Sequence, residues 1–169
     1  MKLRYSIALS LPLASASAMA ADLALKLDVP QLNVAEYHRP YIAAWLENAD
    51  QKVVANLAVL YDVKKKDNAG TKWLKDVRQW WRKSGRDIEM PMDGVSGATK
   101  APGEQTLAVP KAALDKLPAG QYTLLVEAAR EAGGREVVKV PLQWPPKSAQ
   151  NLTGQGKEEL GAVVVQLKP

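Results

Sequence analysis

The stretch Leu23-Ala24-Leu25-Lys26-Leu27-Asp28-Val29 alternates large apolar residues with alanine or charged residues. A period of two is typical of a β-strand that buries one of its faces. Comparable runs recur along the rest of the chain, at residues 41–47, 53–61, 106–109, 122–128, 137–144 and 162–167. Seven short strands in this spacing predict an all-β fold.

The connections between these runs favour antiparallel neighbours. Asn48-Ala49-Asp50 separates the second and third runs, Gly133-Gly134 forms a turn between the fifth and sixth, and Pro118-Ala119-Gly120 precedes the fifth. Together they predict an immunoglobulin-like antiparallel β-sandwich of about seven strands. We expect a single domain over residues 21–169, with the polar segment 150–157 as a plain connection.

One segment departs from the strand pattern and predicts an inserted amphipathic helix at about residues 72–84. Its apolar residues recur at helical spacing, and Thr71 is a possible cap. They are Trp73, Leu74, Val77, Trp80 and Trp81. The opposite face is basic, with Lys72, Lys75, Arg78, Arg82, Lys83 and Arg86. Core packing of Trp73 and of one of the adjacent pair Trp80 and Trp81, with solvated cations, is one interpretation; a docking face for anionic lipid or a partner is the other.

The first 20 residues are typical of a secretory signal. Lys2 and Arg4 precede an apolar run at residues 5–16, and Ala18-Met19-Ala20 has the small-x-small form that signal peptidase cleaves. We therefore expect cleavage after Ala20 and a periplasmic product that does not span the membrane. Removal of this segment lowers the net charge from +5 to +3, which gives little support for nucleic-acid binding.

The composition excludes several kinds of chemistry. The chain has no cysteine and one histidine, His38, so a disulfide framework, a thiolate metal site and a multi-histidine site are all excluded. A Ser-His-Asp set cannot be assembled convincingly around His38, and no acidic pair is marked by spacing. We therefore predict no metal site and no catalytic residue, although a self-contained hydrolase is kept as a distant third hypothesis.

A loop at residues 84–105, rich in glycine and proline, contains Asp93-Gly94-Val95-Ser96-Gly97-Ala98-Thr99. This motif resembles the acceptor motif on which FMN transferases build covalent flavoproteins. The resemblance implies that Thr99 receives the FMN phosphate and that Asp93 is recognised by the transferase. Gly94, Ser96, Gly97 and Ala98 complete the motif, and its glycines keep the approach to Thr99 clear. A plain turn between helix and strand is the alternative.

A second resemblance covers most of the chain after residue 20. Residues 39–45, 72–83 and 117–135, together with the motif and Pro102-Gly103, resemble a family of predicted periplasmic proteins of unassigned function. Members of that family tend to be encoded beside PepSY-type membrane reductases and FMN transferases. The resemblance implies a role in extracytosolic electron transfer, of the kind often suspected of serving iron acquisition.

An attached flavin needs an aromatic surface nearby. Trp80 and Trp81 are the predicted contacts, with Trp73 and Tyr41 as further candidates. The leading hypothesis is thus a periplasmic electron carrier that has FMN on Thr99 and works with a membrane reductase. The alternative is a non-catalytic binding module that uses the basic, tryptophan-rich helix.

Overall fold

Nine strands form two packed sheets in the part of the chain that the computed structural model describes, residues 21–169. The predicted signal segment 1–20 lies outside the described residues. The strands are β1 Asp22–Val29, β2 Tyr41–Glu47, β3 Val53–Tyr61, β4 Ser96–Ala98, β5 Gly103–Leu107, β6 Gly120–Ala129, β7 Arg135–Trp144, β8 Gln150–Gln155 and β9 Ala162–Lys168. The all-β sandwich predicted from the sequence is confirmed.

The four-stranded sheet has the order β5-β1-β9-β8, and the five-stranded sheet has the order β4-β3-β2-β6-β7. All pairings are antiparallel except that of β3 with β4, which is parallel. Both predicted hairpin connections, β2 to β3 and β6 to β7, join antiparallel neighbours. The fold thus places β4 at an edge of the larger sheet.

Two of the nine strands, β4 and β8, were not predicted. The expectation of a plain connection at 150–157 is wrong, because β8 pairs along its whole length with β9. The residues of β8 are mostly polar and show no regular alternation of apolar residues. The sequence pattern therefore did not indicate a strand here. Gly154 of β8 lies so close to Val138 and Val140 of β7 that a Cβ there would stand 2.6 and 2.9 Å from their methyl carbons.

The core has two parts, one on each face of the larger sheet. Between the sheets, β1 buries Leu23, Leu25, Leu27 and Val29, as its alternation predicts. On the outer face, Trp45 and Tyr61 belong to a second apolar cluster that the helical segment covers. Because both faces of β2 are covered, its residues from Ile42 to Glu47 are all buried.

The predicted helix at 72–84 is divided into separate pieces in the structure. A 3₁₀ segment covers Lys66–Asp76, helix α1 covers Arg78–Lys83, and a further 3₁₀ turn covers Gly85–Asp87. The break falls at Val77, whose φ and ψ of −77° and 70° are not helical. A second short helix, α2, covers Lys111–Leu114.

This break changes which tryptophan is buried. Trp80 is fully buried, whereas 46% of Trp73 is exposed, so the expectation that Trp73 packs in the core is wrong. Helical spacing relates the two rings only if the helix continues through Val77, which it does not. Within residues 21–169, no helix combines the length and apolar character that a membrane crossing requires.

Candidate functional site

The motif 93–99 begins as a tight turn. The carbonyl oxygen of Met92 accepts hydrogen bonds from the N–H groups of Val95 and Ser96, at 3.3 and 2.9 Å. The Ser96 hydroxyl oxygen accepts a hydrogen bond from the N–H of Met92 at 2.9 Å. Gly94 has a φ of +67°, a left-handed conformation that glycine adopts without steric cost. Two motif residues therefore fix the shape of the turn.

The turn leads into β4, which pairs in parallel with β3 and aligns Gly97 with Leu60. A Cβ on Gly97 would lie 3.0 Å from Cδ2 of Leu60, so this position favours a residue without a side chain. Asp93 and Ala98 are exposed. The motif is therefore an ordered edge of the sheet that keeps part of its surface accessible.

Thr99 follows β4 directly and lies on the wall of a surface cavity. Its backbone N–H donates a hydrogen bond to the carbonyl oxygen of Tyr61 at 3.2 Å, which continues the pairing of the two strands. The residue is partly exposed, and it lines a cavity of about 550 Å³. The edge strand β4 thus positions Thr99, which carries a hydroxyl group, on a concave surface.

Two aromatic side chains, Tyr41 and Trp73, line the same cavity. Burial raises the pKa of the Tyr41 phenol, so its hydroxyl stays protonated at neutral pH and donates to the Gly70 carbonyl oxygen at 3.2 Å. The ring of Tyr41 packs edge-on against Tyr61, with centroids 6.3 Å apart. Trp73 is half-exposed, and the Lys75 ammonium lies 6.0 Å from its ring centroid. The aromatic wall is therefore uncharged.

Five cationic side chains line the cavity, and three of them are paired with carboxylates. They are Arg39, Lys65, Arg78, Arg130 and Arg135. Arg130 and Arg135 pair with the buried Glu159 and Glu127, each at 2.9 Å, and Lys65 lies 3.7 Å from Asp62. Among residues 21–169, Arg39 and Arg78 have no carboxylate oxygen within 4 Å. These two guanidinium groups are available to a ligand.

The remaining wall is the β6–β7 hairpin, residues 130–134, which a single carboxylate fixes. Glu159 accepts hydrogen bonds from two nitrogens of Arg130, at 2.9 and 3.0 Å, and from the N–H of Gly134 at 2.8 Å. Glycine suits position 133, because a Cβ there would overlap the Arg130 guanidinium that Glu159 holds in place. His38 lies on the same wall, with Nε2 3.1 Å from Glu36 and Nδ1 3.8 Å from Glu131.

The two tryptophans predicted to contact a flavin do not line this cavity. Trp80 is fully buried, and its Nε1 donates to Asn56 Oδ1 at 2.8 Å, so it presents no free ring face. Trp81 is partly exposed and lines a smaller groove of about 300 Å³, with Lys75, Asp76, Arg78 and Arg82. The aromatic residues beside Thr99 are instead the further candidates, Tyr41 and Trp73.

Sequence reasoning missed the charged part of the cavity. Arg39 lies two positions before Tyr41 in the chain, and in the sequence pattern Arg78 is one cation of a basic face. The hairpin residues give no local signal, because the pairing of β2 with β6 brings Tyr41 opposite Ala129 from 88 positions away. A prediction of this strand pairing would have identified the hairpin as a neighbour of Tyr41.

These features define a β-sandwich protein in which an edge strand presents a threonine at a cavity with aromatic and cationic walls. The chain belongs to the family described as "Predicted periplasmic protein (DUF2271)", whose model matches residues 22–162. The match includes the motif and every residue named on the cavity wall. Comparison with curated proteins gives no match, and comparison with solved structures gives none either.

Proposed function

We propose that this protein is a periplasmic electron carrier with FMN attached covalently to Thr99 by an FMN transferase. The observation that carries the proposal is the position of Thr99, at the end of the motif strand and on the wall of the cavity. The resemblance of residues 93–99 to the transferase acceptor motif supplies the chemistry. The family description supports the compartment.

The attachment is a phosphoryl transfer in which Thr99 is the acceptor. Its Oγ attacks the flavin-side phosphorus of a flavin-containing pyrophosphate such as FAD, which forms an O–P bond and breaks the pyrophosphate P–O bond. The nucleoside monophosphate leaves, and the hydroxyl proton passes to a base of the transferase. Phosphoryl transfer normally requires a metal ion and cationic groups, which the transferase supplies. No oxidation or reduction occurs in this step.

The motif suits recognition by another enzyme. Asp93 and Ala98 are exposed on the side from which a transferase would approach, and Gly94 adds no side chain to obstruct it. Ser96 and Gly97 have structural roles instead: Ser96 stabilises the turn through its hydrogen bond, and Gly97 allows the edge strand to pack against Leu60. This division explains why the motif has small residues at some positions and a hydrogen-bonding residue at another.

The cavity fits a flavin in size and in chemistry. A volume of about 550 Å³ is in the range of small-ligand sites. Tyr41 and Trp73 provide aromatic surface, and Arg39 and Arg78 provide charge that offsets a phosphodiester. When bound, flavin supplies one- and two-electron transfer at a potential that nearby charges and hydrogen bonds adjust.

The direct test is the intact mass of protein exported from a host that co-expresses an FMN transferase, together with in-gel flavin fluorescence. We expect wild type to gain the mass of one FMN less one water. Thr99→Ala should fold normally and gain nothing, whereas Thr99→Ser, which retains a hydroxyl, should be modified at least in part. Unmodified wild type in a host that flavinylates a control protein would overturn the proposal.

The partners and the processing step belong to the same proposal. Its electron-transfer partner is a PepSY-type membrane reductase, and its setting is a system of the kind that serves iron acquisition; both rest on the family resemblance. We also propose that the signal segment 1–20 is removed after Ala20. The exported protein should then begin at Ala21, which N-terminal sequencing tests, and an N-terminus at any other residue would contradict the proposed cleavage.

The binding-module alternative is favoured by the basic face of the helical segment. Lys72, Lys75, Arg82 and Arg86 are all exposed. Among the ion pairs that residues 21–169 form, the one that involves this face joins Lys83 to Glu47 at 2.7 Å. Vesicles of phosphatidylglycerol and a polyglutamate peptide are suitable probes. If this alternative holds, the vesicles or the peptide should bind to the Thr99→Ala protein as they bind to wild type. The double variant Lys75→Glu with Arg82→Glu should lose that binding.

A further inference from the structure

We infer that the cavity beside Thr99 is itself a binding site for a planar aromatic ligand that has an anionic group, and that it holds such a ligand without a covalent bond. This proposal rests on the proposed function in one respect, which is that the tethered ligand is FMN. It concerns a different property, however, because binding in the cavity does not require Thr99 to be modified.

The aromatic part of the inference begins with the exposure of Trp73. Large apolar side chains are usually buried, and three in the described part of the chain, Val34, Val54 and Trp73, are exposed by more than 40%. Of these, Trp73 alone lines the cavity. Tyr41 provides a second ring, which its hydrogen bond to Gly70 and its packing against Tyr61 hold in place. A planar aromatic ligand can stack on such rings without a large entropic cost.

The anionic part comes from two guanidinium groups. Counting the buried partners Glu127 and Glu159, the five cations of the wall are matched by five carboxylates, so the cavity has little net charge. Its capacity for an anion therefore resides in Arg39 and Arg78, which form no ion pair within residues 21–169. A guanidinium group binds phosphate or sulfonate through two parallel hydrogen bonds.

The test uses the unmodified Thr99→Val protein, with FMN and riboflavin as ligands and calorimetry as the measurement. Riboflavin has the same ring system but lacks the phosphate, so it isolates the contribution of the anion. Arg39→Gln and Arg78→Gln should each weaken FMN binding by about 10- to 150-fold, because each removes a charged hydrogen-bond donor to the phosphate, and should leave riboflavin binding unchanged. Trp73→Leu should weaken the binding of both ligands.

Arg82→Gln is the matched control, because Arg82 is an exposed arginine of α1 that does not line this cavity. It should bind FMN as tightly as the parent Thr99→Val protein does. The inference is overturned if FMN does not bind the parent saturably. It is also overturned if FMN and riboflavin bind with equal affinity in the parent and in both arginine variants.

The ligand could be the tethered flavin or a free aromatic anion that exchanges electrons with it. Anthraquinone-2-sulfonate, a planar aromatic anion, distinguishes these sources. If the tethered ring occupies the cavity, the probe binds unmodified protein and not flavinylated wild type; if the cavity serves a free partner, the probe binds both. Failure of the probe to bind unmodified protein counts against the inference, whereas the mass of wild type tests the attachment alone.

Discussion

The backbone N–H of Thr99 is hydrogen-bonded to the carbonyl oxygen of Tyr61 at 3.2 Å. Tyr61 is the last residue of β3, is buried, and packs edge-on against Tyr41 of the cavity wall. A single strand end therefore positions both the candidate acceptor and the aromatic surface beside it. Substitutions that weaken the pairing of β4 with β3 should therefore disturb the candidate site more than they disturb the core.

Gly97 provides the sharpest test of that relationship. In Gly97→Val, the added side chain would meet Leu60, with Cβ only 3.0 Å from Cδ2, and overpacking of this kind costs about 1–2 kcal/mol at the low end of its range. We expect the equilibrium constant for the β3–β4 pairing to fall about 5- to 30-fold, and FMN attachment to be slower than in wild type. Mass spectrometry of the modified fraction over time measures that rate.

Thr106→Val is the control for Gly97→Val, because Thr106 is an exposed residue of β5 that lies outside the motif. It should be modified at close to the wild-type rate. Equal rates for the two valine variants would show that strand pairing does not determine acceptor activity.

Truncation should destabilise the fold much more at Trp80 than at Trp73. Trp80→Ala removes a fully buried ring and its hydrogen bond to Asn56, so it should lower the free energy of unfolding by about 3–5 kcal/mol. Trp73→Ala should lower that free energy by a smaller amount, about 1–2 kcal/mol, because nearly half of the residue is already exposed. Urea denaturation measures both, and similar losses for the two variants would contradict this assignment.

The contrast between these tryptophans also shows what the sequence could predict. The alternation in β1 and the turns at 48–50 and 133–134 predicted the sandwich correctly. A strand that buries one face places an apolar residue at every second position, and this pattern can be seen in a short stretch of sequence. Periodicity failed at Trp73 because it assumed one continuous helix, whereas the carboxylate of Glu127 on β6 receives the first N–H groups of α1 and fixes a new start there. A tertiary contact of this kind has no local pattern.

The site was predictable to a similar extent. The motif 93–99 identified a segment that forms an edge strand and reaches the cavity wall, and the structure gives Gly94, Ser96 and Gly97 separate conformational roles. That this segment is an FMN acceptor stays a prediction. The cavity could not be predicted, because its walls are 30 or more positions apart in the chain at several points, such as Arg39, Thr99 and Arg130. Helical spacing and the need for an aromatic surface pointed to Trp80 and Trp81, but neither residue lines the cavity.

Glu127 should be among the most sensitive positions for stability. Its carboxylate is fully buried and accepts hydrogen bonds from the N–H groups of Gln79 and Trp80, at 3.0 and 2.8 Å, and from Arg135 at 2.9 Å. Glu127→Ala leaves two helix N–H groups without an acceptor, at about 1–3 kcal/mol for each that stays buried. Chemical denaturation should show this loss, whereas the exposed Glu131→Ala should show almost none; comparable losses would contradict the role of Glu127.

The loop between β8 and β9 should loosen in acid because it is held by Glu136. Burial raises the pKa of this carboxyl, but hydrogen bonds from the N–H groups of residues 157–160 outweigh that effect and hold the pKa below its usual 4.5. A carboxyl with a lowered folded-state pKa stabilises the fold above pH 4.5, and this contribution is lost as the pH falls through the folded-state value. The loop contains Glu159, so the cavity hairpin depends on it as well.

Glu136→Gln should therefore be less stable than wild type at pH 7, by about 1.5–3 kcal/mol, and the difference should shrink at pH 3. Urea denaturation of both proteins at the two pH values measures it. Glu158→Gln is the matched control, because that side chain is exposed on the same loop and accepts none of these hydrogen bonds. A difference between Glu136→Gln and wild type that stayed constant from pH 7 to pH 3 would mean that the charge of Glu136 does not hold the loop.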